Sequence, residues 1–312
     1  MRIPVHQRSN NSLMYKPKYE EKLIHMFILL DDFCKAFRTW QESRQIEGVP
    51  KKTARRNSGR AQLTESEIMT ILIYYHYSGY KCFAYYYKNM VLEGVLQNYF
   101  PQAVSYNRFI ELIPAQLALL YMFLKFCTLS SRRTGTYFAD SKKLAVCHNL
   151  RIHSHKVFAG IAQRGKSSTG WFYGLKLHLL INEYGEIINF IITPGNITDN
   201  NDQALRTLLA GCQGKCYADK GYLTKLFEEL YLQGIQLITK IRKNMKNMLL
   251  LFSDKTKLKK RALIESVNDL LMSVFDIDHT RHRSPVNALA HAFSALIAYC
   301  FYEQKPSVFI TV

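Results

Sequence analysis

The stretch "GKCYADKGY", residues 214–222, decides how the chain is read. Lys215 to Ala218 read as a short strand, and Asp219 sits at its tip, followed by Lys-Gly-Tyr. An ionised carboxylate is costly inside a core unless it is paired. It is tolerable at the carboxyl edge of an α/β sheet, where such sheets place their ligand crevice. A second stretch, "TYFAD", residues 136–140, ends the same way on Asp140. If the two strands are neighbours, two carboxylates converge and repel unless a divalent cation joins them. Hard oxygen ligands with few other donors suit Mg²⁺ or Mn²⁺.

A third carboxylate lies in "KLKKRALIESVNDLLMSVF", 257–275, which reads as one helix with Ile264, Val267, Leu271 and Val274 as its apolar stripe. Glu265 falls just off that stripe, on the face shared by Arg261, Asn268 and Asp269. It can look over the sheet edge, held by Arg261 one turn earlier. Glu228 and Glu229 are rivals for this role and read as exposed surface. Three carboxylates holding two metals about 4 Å apart could run an in-line displacement at phosphorus. No Ser-His or Cys-His nucleophile motif competes with that chemistry.

Around these residues the elements alternate. A strand over 135–140, followed by more extended chain to Asn149, precedes two strands within 170–199 joined near Glu183–Glu186, a hairpin. A helix (201–210), the opening strand, a helix (224–233), a strand (235–241) and helices at 257–275 and 284–302 follow. The natural packing is a mixed sheet with helices on its faces. Gly160, Gly165 and Gly170 mark a flexible loop, and no GxxxxGK[ST] motif is present.

Residues 20–130 read as all-helical. Leu23, Met26, Phe27 and Leu30 share a face. Thr64 and Glu67 form a capping box, with Leu63 and Ile68 as the staple. An aromatic helix is expected over 81–96, and another from 105, broken at Pro114. Two closely spaced helices allow a helix-turn-helix, with Tyr106, Asn107 and Arg108 toward DNA. Domains are expected at 1–130, a helical DNA-binding region, and 131–312, the catalytic unit. Residues 1–19 read as an arm and 47–62 as a basic linker.

The charge names the partner class. The 312 residues carry 42 Lys+Arg against 24 Asp+Glu, a net +18. That points to a polyanion. Residues 1–60 hold thirteen basic against six acidic side chains; 61–130 balance at four each; the rest hold twenty-five against fourteen. Lys240 to Arg261 holds nine basic residues and one acid, Asp254, just before the catalytic helix. Lys255, Lys257, Lys259, Lys260 and Arg261 are candidate DNA-backbone contacts. Seven irregularly spaced cysteines read as reduced thiols. "CHNLRIHSHK", 147–156, matches no standard zinc spacing. The opening "MRIPVHQRSNNSLMYKPKYEEK" has no apolar core segment, and Ala288–Tyr302 is too short to span a bilayer, so neither a secretory signal nor a membrane is expected.

The text "YFADSKKLAVCHNLRIHSHKVFAGIAQRGKSSTGWFYGLKLHLLIN", "TPGNITDN", "YADKGY", "RALIESVNDLL" and "HTRHRS" resembles the DDE transposases of bacterial insertion sequences, most of all insertion-sequence family 982. The resemblance covers about residues 130–302 strongly and the N-terminal part loosely. It implies an RNase H-like mixed sheet flanked by helices, with an acidic triad of Asp140, Asp219 and Glu265 as catalytic and metal-binding residues. It implies Mg²⁺ (or Mn²⁺), two ions, cleavage at the inverted-repeat ends of an element in double-stranded DNA, and joining of the 3′-OH to target. The family's Tyr-Arg-Glu-Lys signature is kept here only at Arg261 and Glu265; Leu258 and Met272 fill the other two places. His279, Arg281, His282 and Arg283 are then the candidates for the phosphate contacts. A cytoplasmic, nucleoid-associated protein that assembles as a homo-oligomer on DNA is implied. Two alternatives stay open: a structure-selective endonuclease, and a DNA-binding remnant without activity.

Overall fold

The computed structural model describes residues 17–44, 63–167, 170–240, 251–278 and 282–309. The basic linker at 47–62, most of the N-terminal arm, Arg242, Lys243, Lys246, His279 and Arg281 lie outside the described residues. The sheet is mixed. Strand β3 (Gly170–Asn182) is its long spine. On one side β3 pairs antiparallel with β1 (Thr136–Cys147). On the other it pairs with β4 (Ile187–Pro194) and then, further along, with β2 (Gln163–Ser167). Strand β5 (Gly214–Ala218) lies parallel to β1, and β6 (Ile235–Thr239) parallel to β5.

Each face of the sheet is sealed by helices. On one face, Leu205, Leu208 and Leu209 of α5 (Asp202–Leu209) and Leu230 of α6 (Phe227–Leu232) pack on Tyr137, Ala139, Leu180 and Cys216. On the other, Phe138, Leu177, Leu179 and Tyr217 meet α8 (Ala262–Ser273) and α9 (Pro285–Cys300). That second core runs without a break into the N-terminal helices α1 (Pro17–Ser43), α2 (Glu65–Tyr75) and α4 (Tyr106–Ser130). This is an RNase H-like sheet with a helical N-terminal region packed against one face.

Local chemistry explains most boundaries. Thr64 caps α2: its Oγ1 accepts from the Glu67 N–H at 3.2 Å, while its own N–H donates to Glu67 Oε2 at 2.6 Å. Such a box stabilises by about 1 kcal/mol, and Leu63 and Ile68 beside it are both buried. In α1, Leu23, Met26 and Leu30 are buried at helical spacing.

Four expectations need correction. Helix α4 runs straight through Pro114. An interior proline costs about 3 kcal/mol. Phe109 and Ile113 before it and Leu119, Leu120, Phe123 and Leu124 after it are buried, at roughly 1.5–3 kcal/mol each. The same helix is long and apolar enough to cross a membrane, and its buried side chains belong to the core shared with α9. The aromatic stretch 81–96 is a short helix α3 (Phe83–Tyr86) followed by a π-helical segment, Tyr87–Leu92. The expected extended chain after 135–140 is part of the same strand, to Cys147, because β3 pairs along its whole length. Gly165 is not in a loop but inside β2, where a Cβ would come within 2.0 Å of the Gly195 carbonyl oxygen. The span 257–275 is split: α7 (Phe252–Lys260) ends and α8 begins at Arg261.

His76, at the end of α2, is buried, and its Nδ1 lies 2.5 Å from the Phe275 carbonyl oxygen. Burial, with the neighbouring His291, holds its imidazole well below the ordinary histidine range. A base with a depressed folded value is neutral when folded, while the unfolded chain takes up a proton below about pH 6.5. Stability should therefore be flat above that pH and fall below it, by up to about 1.4 kcal/mol per pH unit from this one group. Urea unfolding at pH 7.5 and 5.5 measures the drop, and His76→Asn should reduce it.

Candidate active site

The parallel register of β1 and β5 builds the site. Its last pair is Ala139 with Ala218, and the next residue on each strand is the aspartate, Asp140 and Asp219. Neighbouring strands lie about 4.8 Å apart, so both aspartates stand at the lip where β5 leaves the sheet. Strand alternation assigns each to the face of Phe138 and Tyr217, which is the face covered by α8.

Helix α8 brings two more side chains to that place. Asn268 is buried and donates Nδ2–H to Asp140 Oδ2 at 3.0 Å. Glu265 is exposed and accepts from Arg261 Nη2 at 2.7 Å. Arg261 also lies 3.7 Å from Asp140 Oδ1, so one guanidinium joins the first and third acids. Burial pushes the Asp140 carboxyl up to about 6, against Arg261 and the Ser141 backbone N–H; Asp199 and Glu265 add to the rise. A carboxylate this short of water is one that added positive charge ionises readily.

Among the described residues, no three His, Cys, Asp or Glu side chains already stand together as a ready metal site. The donor chemistry nonetheless fits a hard divalent cation: two aspartates at one sheet edge, one of them desolvated, and a guanidinium already standing in as the positive charge between Asp140 and Glu265. Cys147, His148, His153 and His155 form no such group. Glu228 is exposed on α6, and Glu229, half-buried, pairs with Arg206 at 2.7 Å.

Sequence reasoning gave no role to Asp199. It follows β4 and accepts from Ser141 Oγ at 2.7 Å and Lys176 Nζ at 3.2 Å. Ser141 is the residue after Asp140, so this carboxylate fixes the backbone behind the first catalytic candidate. Its signal was present in "TPGNITDN": an acid just past a strand end, as with the other two.

The basic segment divides. Lys255, Lys259 and Lys260 are exposed along α7. Lys257 instead donates to Thr136 Oγ1 at 2.8 Å. Arg261 faces the acids. His282 is partly buried and Arg283 exposed, just before α9. The segment's one acid, Asp254, is buried and accepts from Lys215 Nζ at 2.9 Å and Tyr217 Oη at 2.7 Å. Burial works against its charge, but Tyr217 and Lys215 outweigh that and hold it below the usual carboxylate range. This contact ties α7 to β5 two residues before Asp219.

A family model described as "Transposase DDE domain" matches residues 130–285, half of the chain. That span opens just before β1 and closes at the start of α9, so it contains Asp140, Asp199, Asp219, Asp254 and Glu265. No match was found among curated proteins.

Asp254→Ala should cost about 2–3 kcal/mol, because the buried Tyr217 hydroxyl loses its acceptor. Chemical denaturation checks this; a loss below about 0.5 kcal/mol would mean α7 is held by other contacts.

Proposed function

We propose, from the premise that this chain belongs to the DDE transposase domain family, that it cuts the inverted-repeat ends of an insertion sequence of the family-982 type and joins the freed 3′-OH to target DNA. The observation that carries this reading is the register at Ala139 and Ala218, which leaves two aspartates side by side at one sheet edge. Asp140, Asp219 and Glu265 are the catalytic and metal-binding residues in this reading. Two Mg²⁺ or Mn²⁺ ions, when bound, would supply Lewis-acid stabilisation of the attacking and leaving oxygens of an in-line displacement.

The chain's own residues do the positioning. Asn268 fixes Oδ2 of Asp140, while Oδ1, which faces Arg261 at 3.7 Å, is the oxygen that would ligate. Arg261 holds Glu265 on the exposed end of α8 and neutralises the crowd of acids until substrate and cations arrive. Lys255, Lys259 and Lys260 give the DNA backbone a charged track leading to Arg261, with His279, Arg281, His282 and Arg283 as further phosphate contacts. The helices before residue 131 form a DNA-binding region. Two element ends have to be paired, so at least two protomers assemble on DNA. A cytoplasmic, nucleoid-associated location goes with such a substrate.

Incubation with end-containing DNA and Mg²⁺ or Mn²⁺ tests the reading. Wild type should give nicked and joined products, and Asp140→Asn or Asp219→Asn should lose at least about a thousandfold in rate. Equal cleavage by wild type and Asp219→Asn would remove the assignment. Nicks without joined products would leave the endonuclease reading.

Changing Lys255, Lys259 and Lys260 together to Ala should flatten the slope of log K for DNA against log salt by up to about 3, near 0.9 for each phosphate no longer neutralised. Lys257→Ala should change it less, since that ammonium is engaged with Thr136. An unchanged slope in the triple variant would remove this patch.

A further inference from the structure

Strands β1 and β3 continue past the acidic edge. Strand β5 stops at Ala218 opposite Ala139, while β1 runs eight residues further, to Cys147, still paired with β3. Beyond that, β2 folds onto the first part of β3. The result is an extension of the sheet beyond the lip that carries Asp140. Its sequence is unusual: residues 141–182 contain seven Lys or Arg and not one Asp or Glu.

Near the tip stands an exposed indole. Trp171 is 53% exposed, although a tryptophan ordinarily gains by burial. It pairs across the strands with Lys166, whose Nζ lies 5.8 Å from the ring centre. Arg164, two residues along the same edge, sits 5.1 Å from that ring. Among the described residues neither cation forms an ion pair with an acid. Asn149 Nδ2 donates to the Trp171 carbonyl oxygen at 2.8 Å, fixing the backbone beneath the ring. Leu179 is opposite Asp140, and Trp171 lies eight residues from it along β3, so alternation puts the indole on the same face as Asp140. The separation is about 27 Å at the strand rise, or about eight base pairs of duplex.

We propose that Trp171, Arg164 and Lys166 form a second DNA contact, separate from the acidic centre, that grips the duplex about eight base pairs from the reacting phosphodiester. Arg164 and Lys166 take phosphates on either side. The indole packs against a sugar or base edge between them, as an aromatic flanked by cations does on nucleic acid. This contact rests on the reading of the protein as a DNA-processing enzyme. Edge protection alone would explain two cations on β2, but not an indole held open between them.

The chain has two tryptophans, so Trp40→Phe leaves Trp171 as the only indole reporter. The full-length Trp40→Phe protein is titrated with a 30-base-pair mixed-sequence duplex and with a 30-nucleotide single strand. Duplex should quench and shift the Trp171 emission. Trp171→Ala in the otherwise natural chain should weaken duplex binding about tenfold, and Arg164→Ala with Lys166→Ala should lower the salt slope by about 2. Thermal melting within about 2 °C of wild type shows that these variants fold; Trp171→Phe, which keeps a stacking ring, should recover most of the affinity. Silent emission, or unchanged affinity and slope in folded variants, overturns the proposal. Quenching by the single strand alone overturns the duplex assignment. Failure here with cleavage intact leaves the proposed function standing. DNA binding through Trp171 without any cleavage would instead fail the catalytic reading alone.

Discussion

The parallel pairing of β1 with β5 is the constraint on which the rest depends. Four residues on each strand are in register, and the pairing stops one step before an aspartate on both. Helix α8 can then deliver Asn268 and Glu265 to the same lip because Ile264, Val267 and Leu271 are anchored in the core beneath it. A slip of one residue in that pairing would turn one aspartate to the opposite face.

Electrostatic crowding at the lip is managed by neighbours drawn from different elements. Arg261 serves Asp140 and Glu265 together, Lys176 serves Asp199, and Lys215 serves Asp254. Each of these cations is at least partly shielded from water. A basic protein therefore uses part of its charge internally, to hold acids in place, while Lys255, Lys259 and Lys260 on α7 stay exposed.

The catalytic half was legible where a side chain's chemistry conflicts with its place in the chain. Asp219 directly follows its strand, Glu265 is exposed beside Arg261, and Asp140 lies inside β1 where the pairing with β5 ends. Illegible features depend on partners distant in sequence. Extended chain past Asp140 reads from "SKKLAVC", but its union with 136–140 into one long strand is set by pairing with β3. Strand β2 is short, contains Gly165, and forms only because β3 offers it an edge. Pro114 reads locally as a break, yet burial on both sides of it overrides the propensity. Asp199 carries the same strand-end signal, but its partners Ser141 and Lys176 are distant in the chain and only the fold brings them together.

The core that runs from Leu23 through α4 and α9 to Tyr217 has a consequence for how such a protein can change. Its amino-terminal helices are not a cassette on a tether that recombination could exchange for another. Trading them would strip the apolar cover from α9 and, through it, from the floor of the acidic lip.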